Sequence, residues 1–372
     1  MKVVFWLSVG VIAYTFVGYS LWLYLRGRWF PRPVRTAAIF PTVSIVMAVR
    51  NEAKFLPNKL RNLFGLKYPA DRKEIIVVSD GSTDATNQTL LAQASNSLRV
   101  VVLDRRGGKA CALNQAIQVA RGEIVIFTDA RQSLEPEALC RLVENFADPD
   151  VGAVSGELML GCPNDPTALR GAGLYWMYEK KVRQWEGLTG SVIGATGALY
   201  AVRRELLREL PAGTILDDVY LPMQVVRQGQ RVVFEPGAQA WDIPPGGVRV
   251  EFRRKVRTLT GNYQLLQLAP WLLTRENPMR FEFVSHKMFR LLVPFALAGA
   301  LASSLVLGGT FYRAVATLQI LFYASAVFAL VPARLGGLGR LANVTLTFIV
   351  LNTAAVVALG NFLTRKKEVW AR

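Results

Sequence analysis

Five short polar segments stand out in this chain, each closing or opening an apolar run. Arg50-Asn51-Glu52 closes VSIVMAVRNE, Asp80 to Asp84 close IIVVSDGSTD, Lys109 follows two glycines in GGKACALN, Asp129 and Arg131 close IVIFTDAR, and Asp217 and Asp218 lie in ILDDVYLPMQVVRQG. A lysine that opens a helix after two glycines has free backbone N–H groups beside it, and together they make a diphosphate pocket; a solvated lysine is the plainer alternative. Asp129 ends a very apolar strand, where an unpaired carboxylate is costly. A divalent ion bridging phosphates is its natural partner, because magnesium and manganese favour carboxylate oxygens. Asp217 and Asp218 are adjacent at a helix start. A cap accounts for one, and a general base for the other, since a sugar hydroxyl acting as acceptor must lose its proton. Asp80 precedes the cap on a glycine-flanked turn and suits a ribose or base hydroxyl. Asp84 favours the first helical turn through the helix dipole, with Ser82 or Thr83 capping. In this order the segments describe a pocket for a nucleotide diphosphate-sugar, followed by a carboxylate that acts as a base.

Residues so far apart in sequence need a scaffold to bring them together. From residue 43 short apolar runs alternate with helical spacing: strands at 43–49, 74–79, 98–103 and 123–128, helices at 53–66, 84–95, 109–120 and 135–146. The alternation predicts an α/β domain with a parallel sheet. In such sheets ligands lie beyond the carboxyl ends of the strands, and four of the five polar clusters begin where a strand ends. Residues 163–183 read as a helix whose Tyr175, Trp176 and Tyr178 suit the core. Residues 194–206 read as a glycine-rich turn, a strand and a helix. Gly194 and Gly197 there serve either close backbone approach to a ligand or tight turning. Residues 250–268 are basic on one side and apolar on the other, as in a helix lying on a membrane surface.

Four stretches carry no charge: residues 3–25, 291–312, 314–333 and 341–364. Each matches the roughly 20 residues that cross a hydrocarbon core. The first is too long for a cleaved leader, and Arg26, Arg28, Arg32 and Arg35 follow it instead of a cleavage site, so it reads as a retained anchor. Positive residues stay on the cytosolic side, which places the N-terminus outside and residues 36 to about 285 inside. Arg334 and Arg340 fit an inside loop. The tail, with Arg365, Lys366, Lys367 and Arg372, does not: three C-terminal crossings would put it outside. The expected divisions are an anchor at 1–35, a cytosolic catalytic domain at 36–248, an interfacial segment at 249–285 and a membrane region of about three helices at 286–372.

The net charge of +17 raises nucleic acid as a partner, but no helix-turn-helix, RNA-binding or zinc-ligand pattern accompanies it. The basic residues cluster beside the apolar stretches, which points to anionic lipid headgroups and a diphosphate substrate. The three cysteines, Cys111, Cys140 and Cys162, have no paired spacing. They suit a reducing cytosol and argue against a zinc site. A single histidine, His286, excludes mechanisms that need several.

Residues 41–270 resemble the family 2 glycosyltransferases, in particular the membrane-embedded branch that holds bacterial synthases of cellulose, hyaluronan and poly-N-acetylglucosamine. The resemblance implies a GT-A fold, an inverting displacement and a nucleotide-sugar donor, a UDP-sugar first among them. By the matching motifs it places Glu52 and Asp80 at the nucleotide and Lys109 at the diphosphate. Asp129 becomes the first acid of an Asp-x-Asp metal element, with magnesium or manganese as cofactor, and Asp218 the base that activates the acceptor, with Asp217 beside it. Gly197 counts with the substrate-binding residues. Two departures qualify the pattern. Arg131 stands where the second acid belongs, so either Asp129, phosphates and water hold the metal or Arg131 supplies part of the charge. The Gln-x-x-Arg-Trp signature is here Arg254-Lys255-Val256-Arg257-Thr258. Arg257 matches the arginine that meets the diphosphate, while Thr258 replaces the acceptor-end tryptophan, unless Tyr263 or Trp271 substitutes for it.

The expected function is transfer of a sugar to a lipid-linked or growing glycan acceptor in cell-envelope or exopolysaccharide synthesis, at a bacterial inner membrane. A processive synthase that extrudes its polymer is the alternative. A catalytically silent membrane partner subunit is the alternative of another class.

Overall fold

The computed structural model describes residues 1–161, 174–243, 248–330 and 336–364. Cys162, the first part of the helix expected at 163–183, Arg334 and the basic tail lie outside them.

Eight strands among the described residues form one sheet: β1 (Val43–Val49), β2 (Lys73–Asp80), β3 (Leu98–Leu103), β4 (Ile124–Thr128), β5 (Ser133–Leu134), β6 (Val151–Leu160), β7 (Leu199–Arg203) and β8 (Arg231–Asp242). Their order is β3-β2-β1-β4-β7-β6-β8-β5. The first four strands pair in parallel. The rest corrects the expectation of a parallel sheet. β7 runs antiparallel to both β4 and β6, and β5 runs antiparallel to β8, while β6 and β8 are parallel. The sheet is mixed. A strand buried on both faces reads as a plain apolar run whichever way it points, so Leu199–Arg203 carries no mark of its direction.

Alternate residues of each central strand feed two cores. On one face Val46, Ile76, Val78, Val125 and Phe127 pack against Ala112, Leu113 and Ala116 of the helix Lys109–Val119 and against the helix Asp217–Arg227. On the other, Ile45, Met47, Ile75, Val77 and Ile126 meet Leu56, Leu60 and Leu63 of the helix Leu56–Phe64 and Leu139 and Leu142 of the helix Ala138–Glu144. Leu56, Leu60 and Leu63 are completely buried. Each contributes about 1.5–3 kcal/mol, and truncating Leu60 to alanine would cost about 2–5 kcal/mol.

Four helices are long and apolar enough to cross a membrane: Lys2–Trp29, Arg280–Leu307, Thr310–Ala329 and Leu341–Leu363. The first packs on the second. At their crossing a side chain on Gly299 would meet Ser8 Oγ at 2.7 Å, so any larger residue there requires the serine hydroxyl to turn away. Polar contacts tie the first span to the second and to the helix Leu174–Thr189. Arg26 pairs with Glu282 of the second span at 2.8 Å, while Tyr19 donates to Glu186 at 2.9 Å and Ser20 and Tyr178 share a hydrogen bond of 2.5 Å. Tyr178 sits with Tyr19, Leu23 and Val182, so this part of the expected aromatic stripe is core, built against the first span. The amphipathic helix spans Val248–Leu268 and packs against the helix Gly336–Leu363 that holds the fourth span.

Candidate active site

The strand ends deliver the polar segments to one edge of the sheet. After β1 the backbone turns sharply at Asn51, whose φ is +53°. Its amide oxygen accepts the Thr83 N–H at 2.8 Å and its own N–H donates to Ser82 at 3.2 Å, which knits the loop after β1 to the loop after β2. Asp84 is structural, as its position implies. Its carboxylate accepts the N–H of Thr86 at 2.9 Å and of Ala53 at 3.3 Å. The Thr86 side chain first, and then these bonds, hold it below the usual carboxylate range against slight burial.

Asp80 is buried at the end of β2, and its two oxygens accept the N–H groups of Gly107 at 2.6 Å and Gly108 at 2.9 Å. It thereby shapes the glycine loop, and its carboxylate keeps further acceptor capacity. Gly81 has φ +58°, and a side chain there would strike the Arg106 backbone at 2.7 Å; Gly108, φ +89°, opens the next helix. The first residue of that helix is Lys109. Its ammonium lies 3.1 Å from Asp129 and 3.1 Å from Asp217. Burial disfavours its charge, but the carboxylates of Asp129, Asp217 and Asp218 outweigh burial and raise its proton affinity well above that of an ordinary lysine.

Asp217 is buried and takes a second bond from the Tyr200 hydroxyl at 3.2 Å. Burial, reinforced by the neighbouring carboxylates, keeps that phenol protonated. Asp218 is pushed up to about 6 by burial and by the charge of Asp217, against the pull of Lys109 and Lys287. A side chain on Gly197 would meet Asp218 Oδ2 at 3.0 Å, and one on Gly194 would meet Val219 at 2.9 Å. Both glycines therefore serve close approach of the 194–197 loop to the helix Asp217–Arg227, and Ala195 N–H donates to the Asp218 carbonyl at 2.7 Å.

Arg131 pairs with Glu52 at 3.3 Å and lays its guanidinium over Phe55. The other Glu52 oxygen is buried with no hydrogen-bond partner among the described residues. Arg254 reaches Asp242 at 3.9 Å and Glu251 at 3.8 Å. Arg257 is exposed on its helix, with no hydrogen bond or ion pair among the described residues. The structure thus gathers Lys109, Asp129, Asp217, Asp218 and Gly197 into one cluster and links Glu52 with Arg131 beside it. Arg254 and Arg257 make no ion pair with either group among the described residues.

Two residues of this neighbourhood escaped the sequence reading. Tyr200 stacks on Phe127 with ring centroids 4.5 Å apart, and within LYAVR nothing separates it from a core aromatic. Lys59 is buried and donates to Thr128 at 2.9 Å and to the Gln132 carbonyl at 2.7 Å, bracing the loop that carries Asp129 and Arg131. Burial lowers its pKa to about 7, against the charge of Asp129. Its place among Leu56, Leu60 and Leu63 on the apolar helix face was the available signal.

Residues 44–210 match the family described as Glycosyl transferase family 2. Poly-beta-1,6-N-acetyl-D-glucosamine synthases of Staphylococcus aureus (strain COL) and Staphylococcus epidermidis are 26% and 24% identical, over 60% and 62% of this chain. These matches cover 55% and 56% of those proteins, so the chain spans about half the length of the curated relatives it matches. The mannosyltransferase PcManGT from Pyrobaculum calidifontis, solved with GDP-Man and Mn2+, superimposes with a TM-score of 0.73 at 25% identity, over 98% of this chain and 99% of that one. The expected fold, a GT-A domain flanked by apolar helices, is the one observed.

Proposed function

We propose that this chain, which carries a family 2 glycosyltransferase domain at residues 44–210, moves a sugar from a nucleoside diphosphate donor to a lipid-linked or growing glycan acceptor at a membrane. The arrangement of Lys109 and Asp218 carries the proposal. A permanently charged ammonium stands at a helix start where a diphosphate would lie, and beside it is a carboxylate whose pKa of about 6 suits a general base near neutrality.

The chemistry is a single displacement. Asp218 accepts the proton of the acceptor hydroxyl, and the freed oxygen forms its bond to the anomeric carbon. The bond from that carbon to the diphosphate oxygen breaks, and its electron pair leaves with the nucleoside diphosphate. Attack opposite the leaving group inverts the anomeric centre. Asp217, already engaged by Lys109 and Tyr200, positions the ammonium and raises the basicity of its neighbour. The unpartnered Glu52 oxygen is an acceptor for an N–H or hydroxyl of the nucleoside.

The residues present fit a divalent ion in one limited way. Asp129 offers a carboxylate 40% exposed at the strand end, while no group of three His, Cys, Asp or Glu gathers among the described residues. Asp129 would hold magnesium or manganese with donor phosphates and water as the remaining ligands. Such an ion, when bound, neutralises charge on the departing diphosphate. The Mn2+ in the Pyrobaculum structure supports this reading.

The Pyrobaculum protein was solved with GDP-Man, and a UDP-sugar is the first donor to try beside it. The catalytic domain belongs on the cytosolic face, where nucleotide sugars are made, with a bacterial inner membrane as the setting. The test is release of free nucleoside diphosphate by membranes carrying the chain, offered a panel of UDP- and GDP-sugars. At least one donor should turn over faster than with Asp218→Asn, and equal release by both proteins with every donor overturns the proposal.

A further inference from the structure

We propose that Lys59 is a positioning residue for the donor end of the site, an inference that rests on the proposed transfer. From one face of the helix Leu56–Phe64 it fixes the loop 128–132, and with it the places of Asp129 and Arg131.

That loop needs outside support. β4 ends at Thr128 and β5 starts at Ser133, and residues 129–132 between them adopt no strand or helix geometry. A segment without a backbone ladder satisfies its polar groups through side chains or water. Three residues of the neighbouring helix hold this one. Phe55 immediately precedes the helix, and Lys59 and Asn62 follow at steps of four and three, so the three share a face. Phe55 lies under the guanidinium of Arg131, 5.3 Å from its ring centroid. Lys59 donates to Thr128 Oγ1 at 2.9 Å and to the Gln132 carbonyl at 2.7 Å. A single ammonium therefore holds both ends of the segment that carries Asp129 and Arg131. Asn62 exchanges two hydrogen bonds with the backbone of Leu134, each of 2.8 Å.

The support reaches past the loop. Thr128 Oγ1 accepts from Lys59 and donates to the Ala198 carbonyl at 2.9 Å. Ala198 follows Gly197, which lies against the Asp218 carboxylate. Two consecutive hydrogen bonds thus run from the helix to the loop beside the base.

Stability alone does not call for a lysine here. Lys59 is 3% exposed, it shares its helix with the buried Leu56, Leu60 and Leu63, and both its partners are neutral oxygens. An ammonium held there costs desolvation that an unbranched apolar side chain of similar length avoids. The lysine instead gives the loop one shape, with Asp129 3.1 Å from Lys109 and Arg131 3.3 Å from Glu52. Asp129 is the carboxylate this loop offers to an ion, so its placement has no second acid to correct it.

The test reads Mn2+ binding by the full chain in detergent, from the loss of the free-ion EPR signal, with UDP or GDP present. In Lys59→Met the half-saturating Mn2+ concentration should rise at least ~10-fold, as when a group that orients a metal ligand is removed. Nucleotide affinity without metal, which Lys109 supports, should hold, and the melting temperature should stay within about 4 °C of the parent. Thr128→Val removes the hydroxyl and keeps the branched shape. It should weaken Mn2+ binding in the same direction, and the double variant should lose no more than Lys59→Met alone, because the two residues act through one bond. Parent-like Mn2+ binding in Lys59→Met, additive losses in the double variant, or no Mn2+ binding by the parent overturns the inference. So does an equal loss of metal and nucleotide binding with a lowered melting temperature, which would mark a general structural role. If Lys59→Met does not fold, Thr128→Val decides alone, and parent-like Mn2+ binding there overturns the inference. Mn2+ binding that depends on Lys59, in a chain that turns over no donor, would uphold the placement of Asp129 and sink the transfer reading. Turnover with Mn2+ binding unchanged in both variants would do the reverse.

Discussion

Lys109 Nζ lies 3.1 Å from the carboxylate of Asp217, a contact between the first residues of two helices, Lys109–Val119 and Asp217–Arg227. On the proposed reading one helix start brings the donor-side cation and the other the acidic pair, and this ion pair joins the two halves of the reaction. It also separates the roles of two adjacent acids. Asp217 is buried and committed to Lys109 and Tyr200. Asp218 is left with its carboxylate over Gly197, and its own charge is the one the surroundings resist.

Asp218→Asn should therefore lower turnover by at least ~100-fold with donor affinity kept, the usual effect of removing a general base. Asp217→Asn should lose less turnover but weaken donor binding, because Lys109 would be held by Asp129 alone. Steady-state kinetics and nucleotide binding separate the two variants. Parent-like turnover in Asp218→Asn would remove it from the mechanism.

The same residue fixes a pH dependence. Burial and Asp217 raise Asp218 to about 6, so its base form is lost below that pH and present above it. Turnover should rise through pH 6 and level off by about pH 7. In Asp217→Asn the neighbouring negative charge is gone, and the rise should move to lower pH. A profile unchanged by that substitution would assign the titration elsewhere.

Gly197→Ala tests the close approach. The added methyl carbon would sit 3.0 Å from Asp218 Oδ2, so the carboxylate must shift by a few tenths of an ångström. We expect turnover to fall ~10-fold or more, since small misplacements of a reacting group are amplified in rate, with the melting temperature nearly unchanged. Parent-like turnover would show that the carboxylate has room.

The first half of the sheet was legible because each apolar run ends in polar residues, and polar residues at strand ends have few reasons other than a ligand to be there. The reversed β7 was not legible, because LYAVR reads the same in either direction. Lys109 was found as a cation, but its carboxylate partners come from segments 20 and 108 residues further along the chain (129 − 109 and 217 − 109), beyond any spacing rule. The bonds of Asp80 to Gly107 and Gly108 were not legible because they depend on how two loops fold together.

Topology has its own test. The arginines after the first span make residues 36 to about 285 the expected cytosolic part. A cysteine introduced at Lys2 should react with an impermeant maleimide added to whole cells, and one introduced at the exposed Asp71 should react only after the membrane is opened. Labelling of the second site in intact cells would invert the orientation.

The last prediction concerns the metal. Arg131 stands where a second acid would bind, and it is turned towards Glu52 at 3.3 Å, so it leaves Asp129 as the protein's contribution to an ion. Lys109 lies on the other side of Asp129 and already balances part of its charge. A diphosphate in an enclosed pocket still carries more negative charge than one ammonium offsets, and a divalent ion supplies the difference. Turnover should fall by at least ~10-fold in excess chelator and return with Mn2+ or Mg2+. Asp129→Asn should abolish that return while nucleotide still binds through Lys109. Arg131→Asp restores the second acid, and it should lower the metal concentration needed for half-maximal rate. Full turnover in chelator would show that Lys109 and Arg131 balance the diphosphate alone.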